Sequence, residues 1–190
     1  PDVELVFRDV VVADLKQMFK ENAVDFMISN FLEELPDTVY QEIAKEPVLL
    51  ALPDTHPAIW YAYPVEGDAF LHLNLSHLDW ETFIVPLPNQ SMRRTADRLF
   101  RENHIHPKRL IEISHFDIIM SMVNQGMGVG FNRLGYLPDM QKFEHVRYFL
   151  INQEVETSSF RLAYRKGHTL SDCERALIEI IKETVRKKMH

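Results

Sequence analysis

Apolar stretches alternate with short polar corners along most of this chain, and their spacing predicts a regular series of strands and helices. The clearest segment is residues 110–132, where an apolar strand leads into a polar corner, a helix ends at Gly126, and a second apolar strand follows at 129–131. Two strands joined by a helix within so short a stretch are typical of a βαβ unit, so we predict a parallel sheet. A helix that begins at the carboxyl end of such a strand is suited to binding an anion, because its first N–H groups lack helical partners.

The same pattern predicts further elements on both sides of this unit. Strands are predicted at residues 3–7, 24–28, 48–52, 83–85, 146–151 and 160–164, and helices at 11–21, at 92–102 and from Ser171 onward. Ser171 and Glu174 form a Ser-x-x-Glu capping box, and we expect residues 56–77 to be an irregular surface excursion. The alternation predicts an α/β fold with two lobes joined by two crossover strands, and a ligand cleft between the lobes. We predict that lobe one comprises residues 1–52 with 163–190 and that lobe two comprises residues 53–162.

Composition narrows the class of protein. The 190 residues carry 21 Lys+Arg against 28 Asp+Glu, a net charge of -7, which argues against a nucleic-acid surface on this chain. The single cysteine, Cys173, excludes an internal disulfide and a cysteine-based zinc cluster. No apolar run is long enough for a membrane span and no signal peptide opens the chain, so we expect a cytoplasmic protein without membrane contact.

Two polar corners are candidate binding sites. Asn89, Gln90 and Ser91 lie between a predicted strand and the helix that follows it, and Ser114 holds the same place before the next helix. Ser91 suits a helix N-cap, and capping alone would explain it. The alternative is that neutral side-chain donors and first-turn N–H groups together bind a carboxylate, and the sequence leaves both explanations open.

Other chemistries are disfavoured. Ser114, His115 and Asp117, within four consecutive residues, cannot form a catalytic triad, because neighbours at a helix start point in different directions. The glycines of residues 126–130 follow a helix rather than a strand, the reverse of a dinucleotide-binding loop. His104 and His106 lack further ligands at metal-binding spacing. We therefore expect no enzymatic activity, no cofactor and no metal.

Several segments, taken in order, resemble one family. They are PDVELVFRD at the start, VDFMIS, EPVLLALPDTHP, the helix after PNQS, VNQGMGVGF and the closing FRLAYRKGHTLSDCERALIEII. Together they resemble the effector-binding domain of LysR-type transcriptional regulators over nearly the whole chain. The resemblance implies two Rossmann-like lobes of the periplasmic-binding-protein-like (type II) fold. It also implies that a small effector, often a carboxylate or another anion, binds between the lobes and acts on an N-terminal winged helix-turn-helix.

The resemblance also implies the ligand contacts and the partners. The contacts carried over from the family are Asn89, Gln90, Ser91, Ser114, His115, Phe116, Phe131 and Asn132 in lobe two, with Ser29 and Asn30 in lobe one. A homodimer or homotetramer is expected, with the helix at 11–21 near the helix at 92–102 of a partner subunit. DNA would be bound only through a helix-turn-helix that this chain does not contain.

Two departures from the family pattern follow. The family's first strand, corner and helix normally precede the segment that matches PDVEL, so we expect the natural protein to extend upstream of Pro1. Without that strand, lobe one would have an open slot lined by apolar side chains. The stretch 56–77 is also longer than is usual in the family.

Two other functions remain open at this point. An extracytoplasmic solute-binding protein would share the fold and the cleft. An enzyme on the same scaffold would need a titratable group at the corners, where His115 is the main candidate.

Overall fold

The computed structural model describes residues 3–30, 34–136, 143–152 and 157–189. In chain order the elements are α1 (Val12–Lys20), β1 (Met27–Ser29), β2 (Thr38–Pro53), β3 (His72–Leu73), β4 (Thr82–Pro86), α2 (Ser91–Glu102), β5 (Arg109–Ile113), α3 (Phe116–Asn124), β6 (Val129–Arg133), β7 (Val146–Ile151), β8 (Thr157–Arg165) and α4 (Asp172–Met189). None of the helices in these ranges is long and apolar enough to cross a membrane.

The chain divides into two compact units. Unit 1 comprises Pro1–Lys45 with Ser159–His190, and unit 2 comprises Glu46–Ser158. Strands β2 and β8, which contain the stretches predicted as crossovers, each run from one unit into the other. Both are longer than predicted, because the polar residues that flank each apolar stretch also pair in the sheet.

Unit 1 is built on the antiparallel pairing of β1 with β8, in which Met27 lies opposite Ala163. Helix α1 packs Leu15 and Phe19 against this pair of residues. Leu162, the neighbour of Ala163, instead packs with α4 in a separate apolar cluster. Because successive strand residues point to opposite faces, the two helices cover opposite faces of this sheet.

The predicted strand at residues 3–7 is wrong. Residues 3–11 have no regular secondary structure, and Val6 and Phe7 are 61% and 79% exposed. A strand forms only where a neighbouring strand accepts and donates its backbone hydrogen bonds. An apolar stretch in the sequence does not guarantee that such a neighbour is present. A cavity of about 540 Å³ lies beside this segment, lined also by residues of α1 and α4.

Unit 2 contains the predicted βαβ unit. Strand β4 lies between β5 and β6 and pairs in parallel with both, so α3 connects two parallel strands across it. Antiparallel β2 flanks β6, and β7 and β3 extend the sheet beyond β2. Ile84 packs under α3, whereas Phe83 and Val85 pack under α2, so these helices cover opposite faces of the sheet.

The excursion at residues 56–77 is less irregular than predicted. It contains a short 3₁₀ turn and β3, and a second 3₁₀ turn begins at its end. Buried His72 lies 2.6 Å through Nδ1 from the carbonyl oxygen of Asn152, and 2.7 Å through Nε2 from a carboxylate oxygen of Asp68. The contact with Asn152, 80 residues away in sequence, holds the excursion against the end of β7, and the contact with Asp68 orients the His72 ring within the excursion.

Close packing between β4 and β6 gives a first testable expectation. A Cβ at Gly128 would lie 2.5 Å from the Thr82 carbonyl oxygen, so Gly128→Ala should destabilise the protein by about 1–3 kcal/mol. The matched control is Gly130→Ala, whose Cβ would lie 3.2 Å from the Ile84 carbonyl oxygen and should cost less. Urea unfolding followed by circular dichroism measures both. Equal stability of Gly128→Ala and wild type would contradict this packing.

The capping box at the start of α4 gives a second testable expectation. The pKa of Glu174 is lowered chiefly because the Ser171 backbone N–H donates to its carboxylate at 2.7 Å, and the Ser171 hydroxyl and His168 add to the effect. A carboxyl group with a lower pKa when folded stabilises the fold above its unfolded pKa. That stabilisation is lost as the pH falls through the folded pKa. Glu174→Ala should therefore lower the melting temperature at pH 7, and the deficit should become smaller in acid, below the ordinary glutamate pKa of about 4.3.

The control for this experiment is Glu183→Ala, which changes an exposed glutamate of the same helix. It should have little effect at either pH. A Glu174→Ala deficit that is equally large in acid would show that the charged capping interaction is not its cause.

Candidate functional site

Two helices of unit 2 begin without a side-chain cap. Helix α2 has Gln90 at its N-cap and α3 has His115, and neither residue makes a side-chain capping hydrogen bond. Of the two explanations left open for Ser91, capping of α2 does not apply, because Ser91 is the first helical residue and Gln90 is the N-cap. The first-turn N–H groups of both helices therefore receive no side-chain cap, which favours an anion nearby.

Gln90 holds the two helix starts together. Its Oε1 accepts a hydrogen bond from the Leu87 backbone N–H at 3.0 Å, and its Nε2 donates to the Ser114 carbonyl oxygen at 2.9 Å. Both ends of the carboxamide are thus used within the protein. These hydrogen bonds position the two corners. They are sufficient to explain a polar residue at position 90, even if Gln90 makes no hydrogen bond to a ligand.

A pocket of about 390 Å³ lies between these corners and the end of β6. The residues that line it all belong to unit 2: Pro86, Gln90, Ser91, Met92, Ser114, Phe116, Asp117, Arg133 and Tyr136. The lining joins apolar side chains with hydroxyl groups and two opposite charges, as is typical of sites for small polar molecules.

Arg133 supplies the positive charge of this pocket. It is 4% exposed, its Nη2 donates to the Ser91 hydroxyl at 3.3 Å, and its Nε lies 3.8 Å from Oε2 of buried Glu46. Burial lowers the pKa of Arg133, while Glu46 and a hydrogen bond to Tyr136 oppose that shift. An arginine stays protonated at neutral pH even when its pKa falls, so the pocket contains a buried cation.

Glu46 lies close to the backbone that follows β6. A Cβ at Gly135 would lie 2.6 Å from Oε1 of Glu46, so a larger residue there would make the Glu46 side chain shift. Glu46 lies beside Nε of the Arg133 guanidinium, and Ser91 lies beside Nη2.

An aromatic pair forms another part of the pocket lining. The rings of Phe116 and Tyr136 have centroids 5.5 Å apart and are tilted by 36°. Phe116 also packs against the apolar clusters of unit 2, which fixes its position, whereas Tyr136 is 44% exposed. The pair gives the pocket a flat apolar surface near the α3 start.

The pocket brings together four of the residues predicted from the sequence. Gln90, Ser91, Ser114 and Phe116 line it. Asn89 and His115 are exposed and are not among the lining residues. Ser29 and Asn30 belong to unit 1, at the end of β1, and their contact with a ligand stays a prediction.

Phe131 and Asn132 lie in the interior instead of the pocket lining. The Phe131 ring stacks on Phe83 with centroids 5.7 Å apart. Wholly buried Asn132 accepts a hydrogen bond at Oδ1 from the Arg133 backbone N–H at 2.8 Å. Their positions suit packing and support of Arg133 more than direct contact.

Sequence reasoning missed Arg133, Tyr136 and Asp117 as pocket residues. The signal for Arg133 was present: a lone cation ends the otherwise uncharged strand VGFNR, at the carboxyl end of a parallel strand. No comparable signal in the sequence marks Tyr136, because its position at the pocket depends on the turn after β6.

Comparison with known proteins gives a family. Residues 1–186 match the family described as LysR substrate binding domain. The HTH-type transcriptional regulator CfxR of Cupriavidus necator is 26% identical over 129 residues, which is 68% of this chain and 38% of that protein. The chain thus spans well under half the length of this relative.

Solved structures share the fold. The effector-binding domain of QuiR in complex with shikimate is 18% identical, with a TM-score of 0.71, over 94% of this chain and 79% of that one. The BenM effector-binding domain with its effector benzoate is 16% identical, with a TM-score of 0.75, over 95% and 78%. The CcmR regulatory domain of Synechocystis PCC6803 in complex with 2-PG is 17% identical, with a TM-score of 0.74, over 91% and 79%.

These neighbours have the periplasmic-binding-protein-like (type II) fold, and the mixed α/β sheet with helices on both faces agrees with it. The expected family and fold class are therefore confirmed, and the chain belongs to the LysR substrate binding domain family.

Proposed function

We propose that this domain binds a small carboxylate effector in the pocket of unit 2. The observation that carries the proposal is the buried Arg133 guanidinium, which donates to Ser91 at the start of α2, a helix whose N-cap residue makes no side-chain capping hydrogen bond. A carboxylate placed there accepts charge-assisted hydrogen bonds from arginine and hydrogen bonds from first-turn N–H groups. The planar guanidinium also fixes the orientation of a carboxylate better than a lysine would.

Glu46 explains how the cation is tolerated when the pocket contains no ligand. A buried charge is costly unless an opposite charge lies near it, and Glu46 supplies that charge at 3.8 Å. Glu46 lies beside Nε and Ser91 beside Nη2, so we expect the ligand carboxylate to meet the guanidinium near the start of α2. The Ser91 hydroxyl is thereby placed to bond the same ligand.

Relatives support the carboxylate class. QuiR is described with shikimate and BenM with its effector benzoate, and both molecules are small carboxylates. The aromatic pair Phe116–Tyr136 suits the ring of a molecule of this size.

We further propose that the full-length protein is a cytoplasmic LysR-type transcriptional regulator without catalytic activity. The supporting relative, CfxR, is a helix-turn-helix regulator. Binding of the effector would shift the population among conformations of the domain and so alter DNA binding by a helix-turn-helix in the same protein. Assembly into a homodimer or homotetramer would transmit that shift between subunits.

Substitution of Arg133 tests the site. Wild-type protein should melt at a higher temperature with saturating benzoate or shikimate, because a ligand that binds the folded state stabilises it by mass action. Arg133→Gln should weaken binding of the acid by about tenfold or more, since hydrogen bonds to a charged group contribute about 1.5–3 kcal/mol.

The variants need a control for folding, because Arg133→Gln leaves Glu46 without this ion pair. The double variant Glu46→Gln/Arg133→Gln removes both charges and should fold yet bind no better than Arg133→Gln. Arg98→Gln changes an arginine of α2 that pairs with Glu102 at 2.9 Å, and it should bind as wild type does. Undiminished binding of both acids by Arg133→Gln would contradict the proposed function.

A further inference from the structure

The two helix starts at the pocket differ in charge. The first turn of α2 contains no acidic residue, and Arg133 donates to Ser91 within that turn. The first turn of α3 contains Asp117, which also lines the pocket. A helix N-terminus carries about half a positive charge, which attracts anions. At α3 the Asp117 carboxylate offsets this positive charge, whereas the N-terminus of α2 keeps its attraction for an anion.

This asymmetry divides the pocket into two ends. The α2 end, with Arg133 and Ser91, favours a negative group. The α3 end presents the Asp117 carboxylate, which repels a second anion and accepts hydrogen bonds only. A ligand with two negative groups, or with a purely apolar body, matches one end of the pocket but not the other.

We propose that the ligand carries, besides its carboxylate, a hydroxyl or ammonium group that donates a hydrogen bond to Asp117. This inference rests on the proposed function, because it takes the carboxylate to bind at Arg133. The Phe116–Tyr136 pair supports the body of the molecule near the α3 start. The ligand class is therefore a small hydroxylated or amino-substituted carboxylic acid, and Asp117 determines the specificity.

Matched pairs of acids test the proposal by isothermal titration calorimetry. Shikimate is compared with cyclohex-1-ene-1-carboxylate, which has the same ring without hydroxyl groups. The compound 3-(aminomethyl)benzoate is compared with benzoate for the ammonium alternative. Wild type should bind the donor-bearing acid of at least one pair about tenfold more tightly than its parent acid, the usual effect of one hydrogen bond to a charged group.

Substitution of Asp117 should remove that preference. In Asp117→Ala the affinity ratio of the preferred pair should fall to about one, while the parent acid binds as well as before or more tightly. Asp117→Asn keeps the size of the side chain and an acceptor oxygen, so a hydroxyl preference should fall in part and an ammonium preference should be lost. The matched control is Asp172→Ala, a fully exposed first-turn aspartate of α4, which should keep the wild-type ratio.

The outcomes separate the two proposals. Equal wild-type affinity within both pairs, or a preference that persists in Asp117→Ala, overturns the role of Asp117 while parent acids still bind at Arg133. Failure of all four acids to bind, or binding of the parent acids that Arg133→Gln leaves unchanged, overturns the proposed function and this inference with it.

Discussion

The parallel pairing of β4 with both β5 and β6 is the constraint on which the site depends. Parallel strands end at the same edge of a sheet, so the residues that follow them come close together although they are far apart in sequence. Pro86 lies opposite Ile113 at the ends of β4 and β5. The corners with Gln90 and Ser114 follow these ends, and a 2.9 Å hydrogen bond joins them. The pocket is thus a consequence of strand direction.

Charge then gives this edge its chemistry. A buried arginine is costly to desolvate, and the fold compensates with Glu46 on one side of the guanidinium and Ser91 on the other. The absence of Cβ at Gly135 allows Glu46 to approach the turn after β6. Asp117 gives the α3 end the opposite sign from the α2 end. In this proposal Arg133 binds the ligand carboxylate and Asp117 selects among carboxylates, so two side chains of the same pocket have different roles.

Periodic apolar stretches were sufficient to predict much of the fold. The strand at 146–151 has the predicted bounds, and the βαβ unit is present with β4 between its strands. The strand at residues 3–7 was wrong because pairing depends on a neighbour that local sequence does not encode. The burial of His72 could not be predicted from local sequence either, because it depends on a contact with Asn152, 80 residues away.

The site was predicted only in part for the same reason. Corners next to helix starts can be recognised from local sequence, and Ser91 and Ser114 do line the pocket. The family resemblance implies ligand contacts at Phe131 and Asn132, which stay predictions; both residues are buried in β6, which continues to Arg133. The strand thus ends at a cation, Arg133, which lines the pocket, and this changes the chemistry of the site.

A crystal structure of the protein with benzoate tests the central claim most directly. We expect a carboxylate oxygen of the ligand at about 3 Å from the Arg133 guanidinium and within reach of the Ser91 hydroxyl, with the ring beside Phe116. A benzoate ordered elsewhere, with no contact to Arg133 or to the α2 start, would contradict the account.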